Sequence, residues 1–93
     1  MKVNVCIVGF LEDALPGGKG VIEAEDMTVS GMLDDLTDRL GEGATQKLRS
    51  GKDLREGLSL LVNGRNVLSL PDKFQTRLND GDQVVITVRV SGG

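Results

Sequence analysis

One stretch limits the architecture more than any other. In "DMTVSGMLDDLTDRLG" the apolar residues Val29, Met32, Leu33, Leu36 and Leu40 recur at helical spacing and form one stripe. Thr28 stands where a hydroxyl can cap the first turn, and Gly41 stands where helices commonly end. The spacing predicts a helix over 29–40. It is the only long helical pattern in 93 residues, and the clearest patterns around it alternate with period two. A single one-sided helix must bury its stripe against a sheet, which means a two-layer α+β fold.

The alternating segments supply that sheet. In "KVNVCIVG" (2–9), Val3, Val5 and Ile7 share one face, while Lys2, Asn4 and Cys6 share the other. "FLEDALPGGKG" (10–20) holds Pro16 and three glycines and reads as a wide hairpin loop leading to a second strand, "GVIEAE" (20–25). After the helix, 42–57 is polar and broken by glycines, with "ATQKLRS" as a short helical candidate. Leu58 to Val62 is a strand. Asn63-Gly64 suits a tight turn with positive φ at both central residues, and Arg65 to Val67 returns as a short partner. "SLPDKFQTRLNDGD" is a loop with a turn at Asn79–Asp82, and "QVVITVRV" is the last strand. The order is β-β-α-β-β in one domain spanning 1–93, with a mixed sheet of four to five strands on one main helix.

Alternation also assigns faces. Val84, Ile86 and Val88 fall together, as do Leu58, Leu60 and Val62; Val85, Thr87 and Arg89 fall opposite, with Ser59 and Leu61. The set carrying the polar residues should face water. That leaves Cys6, Leu61 and Val85 as a small apolar patch on the outer face, a candidate partner surface.

Composition narrows the chemistry. With Phe10 and Phe74 as the only aromatics, the core must be built from Val, Leu and Ile, and there is no platform for stacking bases. A net charge of −3 without a basic run argues against nucleic acid. The absence of histidine removes the commonest general base and the Ser-His and Cys-His pairs, so catalysis by this chain alone is not expected. Cys6 is the sole cysteine. It can form no internal disulfide and no four-cysteine metal site, and no histidine or helix start lies near it in sequence to activate the thiol. No bound metal or cofactor is expected. "MKVNVCIVGF" lacks a signal peptide's long apolar region, and no segment reaches the roughly 20 apolar residues of a membrane span. The expectation is a soluble, cytoplasmic protein that engages neither nucleic acid nor membrane.

Two motifs have plain structural readings. "LPGGKG" lacks the spacing of a phosphate-binding loop, because Lys19 is followed by Gly20 and a strand. Asp34, Asp35 and Asp38 lie opposite the apolar stripe and read as a solvated helix face.

The remaining signal is "VRVSGG", with only Ser91 between Val90 and Gly92-Gly93. Residues 89–93 can extend about 17 Å from the body as a flexible tail. The tip has no side chain, so it can thread a narrow channel. Its one functional group is the α-carboxylate of Gly93, a poor electrophile until another enzyme activates it, for example by adenylation with ATP.

The strand order, "SLLVNGRNV", and "LNDGDQVVITVRVSGG" together resemble the β-grasp, ubiquitin-like sulfur carriers, which include the small subunit of molybdopterin synthase and the sulfur carrier of thiamine biosynthesis. The resemblance covers the whole chain and is strongest from Leu60 to Gly93. It implies that a ubiquitin-activating-type enzyme uses ATP to adenylate Gly93, with Gly92 giving access. A persulfide enzyme would supply sulfur to make a thiocarboxylate, and a downstream synthase or other acceptor would take it. It also implies that Leu61, Val85, Thr87, Arg89, Val90 and Ser91 meet partners. Two other roles stay open: a ubiquitin-like modifier joined through Gly93 to target lysines, and a β-grasp interaction module with an inert tail. Among sulfur pathways, cysteine synthesis and tRNA thiolation stay open beside molybdopterin and thiamine.

Overall fold

The helix is where its stripe predicts it. In the computed structural model, which describes residues 1–9, 18–50 and 53–88, α1 runs Val29–Leu40. The Thr28 hydroxyl accepts the Gly31 N–H at 3.1 Å, and Gly41 closes the helix by donating its N–H to the Thr37 carbonyl at 2.9 Å. Val29, Met32, Leu33 and Leu36 are buried, and Leu40 packs partly buried at the margin of the core.

That stripe lies on one face of a five-stranded sheet. The strands are β1 (Lys2–Val8), β2 (Lys19–Glu23), β5 (Leu58–Val62), β6 (Arg65–Asn66) and β7 (Gln83–Val88), in the order β2-β1-β7-β5-β6. β7 runs parallel to β1 and antiparallel to β5; the two outer pairings, β1 with β2 and β5 with β6, are antiparallel. The sheet is therefore mixed, with the last strand at its centre, and the arrangement is the β-grasp expected from the sequence. Val3, Val5, Ile7, Ile22, Leu60, Val62, Val84 and Ile86 cover the inner face and meet the helix in one core. Aliphatic side chains dominate that core. Met27 and Met32 join it, and Phe74 packs partly buried against it.

The structure extends the expected order between the helix and β5. A second helix, α2, spans Glu42–Leu48 and buries Ala44 and Leu48. It starts earlier and ends sooner than "ATQKLRS" suggests, because Gly41 serves both helices and Arg49 is extended. A small separate pair follows, β3 (Arg49–Ser50) with β4 (Asp53–Leu54). Polar composition hid this region; it rests on two buried side chains rather than a full stripe.

Other boundaries shift by a residue or two. β2 begins at Lys19 and ends at Glu23, and β6 stops at Asn66. The Asn66 side chain there accepts the Leu68 N–H and turns Val67–Ser69 into a 3-10 turn. A second 3-10 turn covers Lys73–Gln75. The long connection is held to the start of α1 by Val29 N–H to Thr76 O (3.0 Å) and Leu78 N–H to Met27 O (2.8 Å). Val88 has the parity of the inner face but is 44% exposed. It stands at the strand end, paired with half-buried Leu58 and outside the buried cluster. Among the described residues no helix is long and apolar enough to cross a membrane.

Candidate functional site

β7 is the element from which the candidate tail departs. Its composition, "QVVITV", favours a pleated, buried strand, and it is hydrogen-bonded on both sides. Val84 and Ile86 are 0% exposed. A strand tied to two neighbours and anchored by two buried side chains opens only with much of the sheet. Arg89, Val90, Ser91, Gly92 and Gly93, which the sequence reading places in the tail, lie outside the described residues.

The start of β7 is fixed by a polar junction. The Asp82 carboxylate accepts the Asn79 N–H at 2.7 Å and the Asn63 side-chain amide at 3.0 Å. The Asn63 side-chain oxygen Oδ1 in turn accepts the Gln83 N–H at 2.9 Å, and the Asn63 backbone N–H donates to Gln83 O at 2.8 Å. On the β1 side, Asp80 accepts the Lys2 N–H at 2.7 Å, Gly81 N–H donates to Lys2 O at 2.8 Å, and Asn4 N–H donates to Asp82 O at 2.9 Å. Positive φ at Asn63 (51°), Gly64 (85°) and Gly81 (85°) lets both turns close this tightly. The "NG" and "DGD" motifs, 16 or more residues apart in sequence, thus form one junction. It sets the register of β7 against both neighbours.

The outer face carries the predicted patch. Cys6 pairs with Val85 and Val85 with Leu61, so the three occupy one row across β1, β7 and β5; all three are half-buried. Lys19 and Asn66 extend the row at its two ends. The next row is Val8, Thr87 and Ser59. Leu61, Val85 and Thr87 are therefore brought together as the sequence reading expects. Val8 (46% exposed) and Val21 (51% exposed) widen the apolar surface beyond the Cys6, Leu61 and Val85 patch that alternation predicts. Parity alone would have placed Val8 with Cys6, whereas Val21 needed the β1–β2 register. A shallow hollow of about 410 Å³ lies beside this patch, bordered by Asn4, Cys6, Lys19, Val21 and Gln83.

The acidic helix face does not build a site. Asp34 is paired with Arg49, Asp35 lies 3.4 Å from Arg39, and Asp38 is exposed. Ion pairs with such open carboxylates contribute little. Among the described residues no group of three or more His, Cys, Asp or Glu side chains is placed to hold a metal ion.

A β-grasp core with a central last strand, a polar junction at its start and an apolar outer patch defines a ubiquitin-like protein. Comparison with known proteins gives the class: the ubiquitin-like sulfur carriers. The ThiS family matches residues 6–93, and the chain belongs to that family. A protein of Archaeoglobus fulgidus provisionally named a sulfur carrier protein is 33% identical over 72 residues, covering 77% of this chain and 81% of the relative. A chain of the Amycolatopsis orientalis BexX/CysO complex superposes with a TM-score of 0.73 at 28% identity, over 98% of this chain and 99% of that one. Small archaeal modifier protein 1 from Methanosarcina acetivorans superposes with a TM-score of 0.77 at 26% identity, over 99% and 96% of the two chains.

Proposed function

We propose that this carrier works through a thiocarboxylate on Gly93. The observation that carries the reading is continuity: the family match runs through Gly93, and the segment "RVSGG" follows directly on the doubly anchored β7. A chain ending at Gly93 would present a carboxylate on a side-chain-free tip, held at a fixed origin.

The chemistry belongs to partners. An adenylating enzyme joins the Gly93 carboxylate to AMP from ATP, releasing pyrophosphate. A persulfide sulfur displaces AMP and forms an acyl disulfide. A thiol then reduces that bond, leaving the thiocarboxylate on Gly93 and the donor as a disulfide. The thiocarboxylate sulfur passes to an acceptor in a synthase, and Gly92 lets the tip enter each active site. This protein contributes the reacting carboxyl group and the docking face around Leu61, Val85 and Thr87. It binds no cofactor of its own. The resemblance favours cofactor biosynthesis of the molybdopterin or thiamine type as the destination.

Incubation with an activating enzyme, ATP and a sulfur donor tests the reading by intact mass. The expected product is heavier by the replacement of one oxygen with sulfur, confined to the peptide containing Gly93. Failure to form that product with an enzyme that thiolates another family member sinks the proposal.

The likeness to a small archaeal modifier protein favours a second reading, conjugation of Gly93 to target lysines. Tryptic digestion would then leave Val-Ser-Gly-Gly on the lysine, since cleavage follows Arg89. If removing Gly92 and Gly93 leaves full biological activity, both readings fail and an interaction module with an inert tail remains.

A further inference from the structure

Among the described residues β2 is one of the sheet's two edge strands, and its backbone parity can be read from its pairing with β1. Met1 and Ala24 exchange both hydrogen bonds, at 2.8 and 3.1 Å. Antiparallel pairs alternate between bonded and non-bonded, so Val3–Ile22 and Val5–Gly20 are the bonded pairs that follow. Lys19, Val21 and Glu23 therefore turn their N–H and C=O groups to the free edge. Among the described residues, none of these groups is hydrogen-bonded on that side. Their side chains all lie on the outer face and all are exposed, Val21 to 51%.

An unpaired edge with three consecutive outward positions is a template for another strand. Its charge pattern selects the partner. The sequence "KGVIE" is self-complementary when run antiparallel about Val21. That register sets Lys19 opposite Glu23 of a second copy, Val21 opposite Val21, and Glu23 opposite Lys19. All three are pairs in which both residues direct their backbone groups at the seam, so no outward donor or acceptor is left over. Two Lys–Glu pairs flank a Val–Val contact on the two-fold axis, on the face where all three side chains are free. Other arrangements lose this. A parallel in-register copy stacks Lys19 on Lys19 and Glu23 on Glu23, and like charges directly opposite are destabilising. An antiparallel slip of two residues sets Val21 against a charge.

We infer that the β2 edge is a self-association surface, pairing two copies antiparallel about Val21 into one continuous ten-strand sheet. β1 and β2 stand between the seam and β7, which puts the seam about 12 Å from β7 at the usual strand spacing. Both patches around Val85 therefore stay accessible. The short edge makes the dimer weak and concentration-dependent, with a seam that opens without unfolding β1 or β7.

Sedimentation equilibrium of the whole chain from ~10 μM to ~1 mM tests the inference in the range where a short interface should associate. The wild type should pass from the 9.9 kDa monomer toward twice that mass. Lys19→Glu and Glu23→Lys each place like charges opposite at both ends of the seam, and each should weaken association about tenfold or more. The double variant K19E/E23K restores both ion pairs in swapped order, and its affinity should return to within about threefold of wild type. Val21→Pro removes the N–H that faces the seam and no β1 bond, so it should abolish the dimer while leaving the fold intact. A wild type that stays monomeric throughout overturns the proposal and leaves the edge to an unlike strand. A double variant no tighter than the singles also overturns it, because association would then use another surface. Circular dichroism of each variant separates loss of association from loss of fold.

Discussion

The two faces of β7 differ by one residue of phase and by nearly everything else. On the inner face Val84 and Ile86 are wholly buried against the helix. On the outer face Val85 and Thr87 are half-buried, beside Cys6, Leu61 and Ser59. The outer residues are not poorer strand formers, since valine and threonine favour strands as much as isoleucine does. The difference lies in what covers them. The inner face has a helix from the same chain, whereas nothing among the described elements packs over the outer face, so its apolar side chains are available to another molecule. One strand thus has two unlike faces: one holds the fold together, and the other is left uncovered by the described elements. The strand itself leads to the segment that carries Gly93.

The largest effect expected from testing this division is on the inner face. Ile86→Ala removes a fully buried side chain from the centre of the core and should cost about 2–5 kcal/mol, read as a fall in the urea midpoint at unchanged slope. A loss below about 1 kcal/mol would mean that the helix packs too loosely to make the inner face the structural one.

Alternation in the sequence makes most of this legible. Val3, Val5 and Ile7, the stripe from Val29 to Leu36, and Leu60, Val62, Val84 and Ile86 are all buried as the patterns require. The outer-face placement of Cys6, Val85 and Leu61 follows from the same parity, whereas their alignment in one row is set by the strand register. What stayed hidden depends on contacts distant in sequence. α2 carries only Ala44 and Leu48 inward, too few for a periodic signal. Val88 has inner-face parity yet is 44% exposed, because coverage ends before the strand does. The junction of Asn63 with Asp82 was visible only as two separate turn motifs; nothing in either predicts that their side chains meet. The free edge of β2 likewise required its register with β1.

That junction sits between the two faces in expected effect. Asp82→Ala deletes the acceptor for the Asn79 N–H and for the Asn63 amide at the point where β7 begins. Hydrogen bonds to a charged acceptor contribute about 1.5–3 kcal/mol when well shielded, and this junction is open to solvent, so a loss of about 1–2 kcal/mol is expected. The diagnostic readout is local. Amide exchange should rise at Gln83 and Asn79 while Ile86 keeps its protection until the whole domain opens. Uniform loss of protection would show that the junction supports the entire sheet rather than the register of one strand end.

The smallest stability effect is expected on the outer face, where the functional consequence should be largest. Val85→Thr keeps the β-branched shape at the middle of the row between Cys6 and Leu61 and exchanges a methyl for a hydroxyl that can reach water. Stability should change by less than about 1 kcal/mol, because the residue is only half-buried and strand propensity is retained. If the outer face is where an activating enzyme docks, the same change should raise the concentration of this protein needed for half-maximal adenylation. The maximal rate should hardly move, since the reacting carboxyl is untouched. That pattern separates a docking residue from a structural one: Ile86→Ala lowers the folded fraction and with it every readout in proportion. Equal stability losses from Val85→Thr and Ile86→Thr would erase the distinction between the faces. A stable Val85→Thr protein with unaltered activation would move the docking surface off this row.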